Sequence, residues 1–383
     1  MNSLLNENKA WIDEVWAKLD NKLSKVAKKS FNKIPYSTKN GVHDDRGSDE
    51  SGLVFWWTNG FWPGLMWVMY EGTKKDVYKE TAINGEKILD GALKLYDELH
   101  HDVGFMWHIS SGSHYRLLGN KESRTRALYA ASLLSSRYNL KGGYIRAWNS
   151  REPDFSKSNG GWTIIDSMMN IPLLYWASNE INDPRFAHIA NAQADMAMNH
   201  HVRPDGSVNH IVRHDPETGE MLETFGGQGY GVGSSWSRGQ SWAVYGFALA
   251  YHYTGNQAYL DTAKRVAHYF IAACCDDYLP KCDFRSPDEP VVYDTTAGAI
   301  TACGLIEISR HVPENEKGMY LNAAIKMLKA MEERFCNWDD TEDSILQYGT
   351  ERYGHGEHMP IIYGDYYFAE AIYMLRDGKY RFW

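Results

Sequence analysis

Two aspartates stand where carboxylates are costly. Asp166 lies in Ile164-Ile165-Asp166-Ser167-Met168-Met169-Asn170-Ile171, among apolar neighbours and near the start of an apolar helical stretch. A carboxyl there resists ionisation unless it is paired, so its protonated form is favoured, and that is the state a general acid needs. The same placement suits an aspartate that caps free N–H groups at a helix start, and spacing alone leaves both roles open. Asp102 follows His100 and His101 and precedes Val103-Gly104-Phe105 at a second loop-to-helix junction. If the two face one cavity they repel, so one keeps its proton while the other ionises. A His-His-Asp run also suggests a metal, but adjacent side chains project in different directions. The reading adopted is therefore one carboxylate assisting another, with no metal. Arg238, in Trp236-Ser237-Arg238-Gly239-Gln240-Ser241-Trp242, lies close to two indoles. It suits either bidentate carboxylate binding or a structural cation stacked on tryptophan. The nearby Gly226-Gly227-Gln228-Gly229-Tyr230-Gly231 is not a phosphate loop, because no Lys and Ser/Thr follow in the required order.

The elements around these residues form a pattern. Six Gly-punctuated polar loops run into apolar, aromatic-rich helices, at Trp57–Trp62, His100–Phe105, Ile164–Ser167, Trp236–Trp242, Asp294–Gly298 and Tyr363–Tyr367. Between them recurs a helix C-cap, a short polar turn and a more charged helix, as at Glu71–Tyr78, Asn182–Phe186 and Tyr253–Tyr259. Helices apolar all round alternating with amphipathic ones imply an inner and an outer layer. An open solenoid needs polar capping repeats at its ends, and none is visible. The expectation is a closed ring of six helical hairpins, an (α/α)6 barrel, forming one domain over residues 1–383. Its mouth would gather carboxylates, a guanidinium and indoles, the equipment of a carbohydrate site.

Composition narrows the partners. The 383 residues carry a net charge of −9 and no basic stripe, so nucleic acid is not expected. No stretch is apolar enough to span a bilayer, and Met1–Lys9 lacks the basic and apolar regions of a signal peptide. The expected place is the cytoplasm, or the periplasm if a leader has been removed. The five cysteines, Cys274, Cys275, Cys282, Cys303 and Cys336, show no paired spacing and read as buried free thiols.

From about Trp57 to Tyr367 the chain resembles the unsaturated glucuronyl hydrolases of glycoside hydrolase family 88. The likeness rests on Trp57-Thr58-Asn59-Gly60-Phe61-Trp62, His100-His101-Asp102-Val103-Gly104-Phe105, Ile145-Arg146-Ala147-Trp148, Ile165-Asp166-Ser167-Met168-Met169-Asn170, Asp215-Pro216-Glu217-Thr218-Gly219, Trp236-Ser237-Arg238-Gly239-Gln240, Ile300-Thr301-Ala302-Cys303-Gly304 and Gly364-Asp365-Tyr366-Tyr367. The resemblance implies an (α/α)6 barrel acting, without metal or organic cofactor, on a short oligosaccharide that ends in a 4,5-unsaturated uronic acid. Water adds across C4=C5 and the rest of the sugar is expelled. It further implies Asp166 as general acid/base, Asp102 as its partner, Trp57, Trp148 and Trp242 as sugar-stacking or wall aromatics, and His210, Gln228 and Arg238 as substrate-binding groups. A monomer or homodimer is expected. Alternatives on the same fold are an unsaturated rhamnogalacturonyl hydrolase and a conventional two-carboxylate glycosidase. A non-catalytic carbohydrate-binding scaffold is a third.

Two departures touch the leaving-sugar side. Gly227 stands where relatives often carry a bulky polar or basic residue, and Tyr363 where they commonly have Trp. The expectation is better turnover of unsulfated than of sulfated disaccharides, with a Gly227→Arg change narrowing the gap.

Overall fold

The computed structural model describes residues 2–48, 51–150 and 159–383. Its helices are α1 (Asn2–Lys29), α2 (Phe61–Thr73), α3 (Asp76–Leu89), α4 (Val103–Trp107), α5 (Ser111–Leu118), α6 (Lys121–Ser136), α7 (Pro172–Ile181), α8 (Pro184–Met196), α9 (Ser237–Thr254), α10 (Gln257–Ala273), α11 (Thr295–Ser309), α12 (Glu314–Phe335) and α13 (Ile362–Leu375). They pack as six pairs: α2 with α3, α4 and α5 with α6, α7 with α8, α9 with α10, α11 with α12, and α13 with α1. Neighbouring pairs also touch, mostly through their first members. α2 meets α5, α6 meets α7, α7 meets α9, α9 meets α11, α11 meets α13, and α13 returns to α2. The ring is closed, as the alternation of helix types requires.

Burial separates the layers. Every residue of α11 and of α13 is buried, whereas α10 buries only Tyr259, Leu260, Thr262, Ala263, Val266, Ala267 and Phe270, a single stripe at helical spacing. Four inner helices end on a left-handed residue, Lys74 (φ 58°), Gly119 (74°), Asn182 (54°) and Gly255 (68°). Each returns its N–H to the carbonyl four residues back, closing the helix and turning the chain outward. The anticipated turns at Lys74, Asn182 and Gly255 are therefore these caps.

Strands are few but important. β1 (Thr38–Lys39) pairs with β2 (Val42–His43), and β3 (Tyr138–Asn139) with β4 (Tyr144–Ile145). An antiparallel sheet joins β5 (Trp162–Ile164), β6 (Ile211–His214) and β7 (Met221–Phe225). This last sheet carries the chain into the site and was absent from the helical reading. Among the described residues no helix is long and apolar enough to cross a membrane. All five cysteines are free, and Cys274, Cys282 and Cys303 are buried as expected, but Cys275 is exposed.

Candidate active site

β5 passes directly into a 3-10 turn, Ile165–Met169, that lifts Asp166 off the sheet; Asp166 therefore precedes α7 rather than opening it. The partner strand β6 begins immediately after His210, and the Ile165 N–H donates to the His210 carbonyl at 3.2 Å. The sheet thus sets the two side chains together, with Asp166 Oδ1 3.7 Å from His210 Nε2. Asp102 stands at the N-cap position of α4 without capping it. The His101 N–H donates to the Ala147 carbonyl at 3.1 Å, which ties the Trp148 segment alongside. Trp57 opens a 3-10 turn, Trp57–Gly60, at the head of α2. Its ring lies 5.3 Å from both Phe105 and Tyr363.

These segments enclose a cavity of about 250 Å³. Its wall holds the carboxylates Asp102, Asp166 and Glu351, the imidazoles His100 and His101, and the aromatics Tyr36, Trp56, Trp57, Trp148 and Tyr363, with Gln228 and Arg238. The Arg46 guanidinium stacks 3.9 Å over Tyr36 and 5.3 Å from Trp56, behind that wall.

The two aspartates are held in opposite states. Burial and then the Asp102 charge push the Asp166 carboxyl up to about 7, against the opposing pull of His101 and Arg238. Its Oδ1 is buried and has no hydrogen-bond partner. Burial also raises Asp102, but the neighbouring His101 and His100 and an amide hydrogen bond from Asn170 outweigh it and hold the carboxyl below its ordinary value. His101 Nε2 lies 3.3 Å and His100 Nδ1 3.4 Å from its oxygens, and the Asn170 Nδ2 donates at 2.9 Å. Burial, reinforced by Arg238, pushes His210 down to about 3, so its ring is neutral. The Gln228 N–H donates to His210 Nδ1 at 3.0 Å, which leaves the ring proton on Nε2, facing Asp166.

His100, His101 and Asp102 also bring three ligand-type atoms within 4.8 Å of one another. In this arrangement the imidazoles flank a single carboxylate. The other such group, His252, Glu307 and His311, is taken up structurally. Arg310, Arg381 and His311 all bind Glu307, which is held at about 2, burial being outweighed by these partners.

Six of the expected residues line the cavity: Asp166, Asp102, Trp57, Trp148, Gln228 and Arg238. His210 sits against Asp166 just behind it. Trp242 is a correction. It is fully buried in the core, behind Phe105 at 5.1 Å and Tyr363 at 6.4 Å, and does not reach the wall. Placed in the stretch Ser237–Ala250 of α9, which is buried throughout, its ring packs helices rather than sugar.

Arg238 lines the cavity and is also held from within the protein. Its Nη1 donates to Asp294 Oδ2 at 2.5 Å and to the Thr350 carbonyl at 2.6 Å, its Nη2 donates to the Glu351 carbonyl at 2.6 Å, and its plane lies 4.5 Å over Trp236. Both nitrogens of the end fork are engaged within the protein, so the guanidinium fastens α9, α11 and the Thr350–Glu351 segment together. Its Nε N–H has no partner, and the guanidinium lends the cavity wall positive charge. Not every loop brings its carboxylate to the mouth. Asp294 caps α11 and neutralises Arg238, and in the last loop Tyr363 reaches the wall while Asp365 is buried, accepting the Ile345 and Leu346 N–H groups.

Gly227 (φ +59°) faces the His210 ring so closely that a Cβ would collide with Nδ1. A Gly227→Arg side chain cannot reach the leaving sugar from there without displacing His210, so that expectation is withdrawn. Tyr36, Trp56 and Glu351 are wall residues that sequence reasoning did not single out. Trp56 adjoins the Trp57–Trp62 stretch marked above, whereas no stretch marked there holds Tyr36 or Glu351.

The Glycosyl Hydrolase Family 88 profile matches residues 24–281. The unsaturated glucuronyl hydrolase of Bacillus sp. (strain GL1) is 37% identical over 334 residues, covering 85% of this chain and 88% of that protein. An unsaturated chondroitin disaccharide hydrolase of Streptococcus pneumoniae is 36% identical over 323 residues, covering 82% and 81%. The crystal structure of unsaturated glucuronyl hydrolase from Bacillus sp. GL1, described as responsible for the degradation of glycosaminoglycan, superposes with a TM-score of 0.87 at 33% identity, covering 95% of this chain and 97% of that one.

Proposed function

The chain belongs to glycoside hydrolase family 88, and from that premise we propose that it frees a 4,5-unsaturated uronic acid from the non-reducing end of a lyase-generated di- or oligosaccharide by hydrating C4=C5. The observation that carries this reading is the pair of unlike carboxyls in one aromatic-walled cavity. Asp166 keeps its proton up to about pH 7 beside an Asp102 held ionised.

The C4=C5 bond is a vinyl ether conjugated to a carboxylate, so a single well-placed proton makes it electrophilic. Asp166 gives its proton to C4, and the ring oxygen shares the electron deficiency left at C5. Water adds at C5 and returns a proton to the Asp166 carboxylate, leaving a C5 hemiketal. The bond between C5 and the ring oxygen then breaks, giving a ketone at C5 and a hemiacetal at C1. The hemiacetal collapses to an aldehyde and expels the leaving sugar with its hydroxyl. One water is consumed and Asp166 ends as it began, so the balance calls for no redox partner and no metal.

Asp102 binds sugar hydroxyls and, by its charge, keeps Asp166 protonated. Trp57 and Trp148 offer stacking faces, and Gln228 anchors His210 in the tautomer that points an N–H toward Asp166. Glu351 on the wall favours an unsulfated leaving sugar.

Oxygen-18 water followed by immediate reductive trapping tests the reaction. Hydration puts the label at C5, and direct attack on the anomeric carbon, as in a conventional glycosidase, puts it at C1. Label at C1 overturns the reading.

A further inference from the structure

Asn170 belongs to the same motif as Asp166, four residues on, yet does not line the cavity. Its side chain is fully buried and all of its polar capacity is used on the two catalytic segments. The Nδ2 group donates to Asp102 Oδ1 at 2.9 Å and to the Asp166 carbonyl at 3.1 Å. The Oδ1 atom accepts the Phe105 N–H at 3.0 Å, in the first turn of α4 behind Asp102. Gly104 makes this possible, because a Cβ there would sit 2.6 Å from Asn170 Cα. From this geometry we infer that Asn170 is a positioning residue, a single amide that joins the acid's turn to its partner's carboxylate and fixes which of the two aspartates carries the proton. The inference rests on the proposed roles of Asp166 and Asp102.

The physical argument is one of donors. Asn170 offers two N–H groups and one acceptor. The N–H aimed at Asp102 favours its charged form, and an ionised Asp102 in turn keeps Asp166 protonated. Removing that N–H weakens the distinction, and the pair moves toward sharing one proton. The charged or titratable groups facing the pair are His100 and His101 on their own segment, Arg137 from the end of α6, Arg238 and His210 beside Asp166, and the Glu351 carboxylate on the same cavity wall. All of these stay in place when Asn170 changes.

A structural control lies in the same turn. Gln193 donates to Ser167 Oγ at 2.7 Å and accepts the Ile145 N–H at 2.6 Å. It braces the Asp166 turn from the other side, through α8, without touching either carboxylate. The experiment records pH profiles of kcat, with melting temperatures, for the full chain carrying Asn170→Ala, Asn170→Asp or Gln193→Ala, on an unsulfated unsaturated disaccharide. Asn170→Asp retains shape and the acceptor for Phe105, so a folded protein is available even if the alanine variant does not fold.

In Asn170→Ala the acid limb, which reports Asp102, moves to higher pH by about one unit, a tenfold change in proton affinity, and in Asn170→Asp it moves further, because a second carboxyl then faces Asp102. The peak kcat falls by roughly 10- to 100-fold, the scale of a lost hydrogen bond to a charged group. Gln193→Ala lowers the melting temperature and leaves the limbs where they were. An Asn170 variant that loses stability but keeps the wild-type limbs overturns the inference and leaves Asn170 a brace like Gln193. Failure of the functional reading looks different, because the wild type itself would then not consume the unsaturated substrate.

Discussion

Keeping Asp166 protonated until about pH 7 costs the fold stability. Its value in the folded chain lies above the ordinary 3.8, so the folded state binds this proton more tightly than the unfolded one. The stabilising contribution is fully present below about pH 4 and is lost as pH rises toward 7. Asp166→Asn removes the ionisable group, so its melting temperature exceeds that of the wild type at pH 8, and the gap closes toward pH 4 in paired calorimetric scans. A gap that does not change with pH contradicts the buried, raised carboxyl. For the same reason wild-type kcat declines above about pH 7, as the acid loses its proton. The niche of Asp166 was legible because its sequence neighbours Ile164, Ile165, Met168 and Met169 are apolar and buried with it. The pairing of Arg238 was not, because its counter-ion Asp294 lies 56 positions away and only the ring of helices brings them together. That pair yields a further prediction. Arg238→Ala leaves Asp294 buried and uncompensated, which destabilises by about 3–5 kcal/mol, so the melting temperature falls sharply. A protein of unchanged stability that merely binds substrate less well would leave Arg238 a substrate-binding group without the structural role.

At the scale of elements, the short irregular segments do the placing. The 3-10 turns at Trp57–Gly60 and Ile165–Met169 aim side chains from the heads of α2 and α7, and the sheet of β5, β6 and β7 sets His210 beside Asp166. Local sequence showed the helices through their periodicity and caps, but not this sheet. Its strands are three to five residues long, too short for alternation to stand out. The Gly226–Gly231 loop was read as a place from which a side chain reaches the leaving sugar, whereas its positive-φ Gly227 is packed against His210. Gly227→Ala is therefore expected to reduce kcat and stability together, by displacing the ring that faces Asp166 and by straining the backbone. Crystallography of the variant with His210 unmoved, or kinetics equal to wild type, would count against that packing.

Across the whole molecule, the (α/α)6 ring was the most legible feature, because helices apolar on every side have nowhere to go but inside. Closure between α13 and α2 brings Tyr363 next to Trp57, residues more than three hundred positions apart, and so completes the cavity wall. The polar loops were expected to converge as a set. Only part of the set does, since Asp294 and Asp365 were drawn into structural bonds that no spacing rule reveals. The account as a whole rests on Asp166 as the proton donor and acceptor. It is tested most directly by the initial rate at which Asp166→Asn removes the C4=C5 ultraviolet absorbance of an unsulfated unsaturated disaccharide near pH 6, alongside substrate binding by the same protein. The expected result is a loss of turnover of about 10²–10⁴-fold with fold and binding retained. Turnover within tenfold of the wild type would contradict the account.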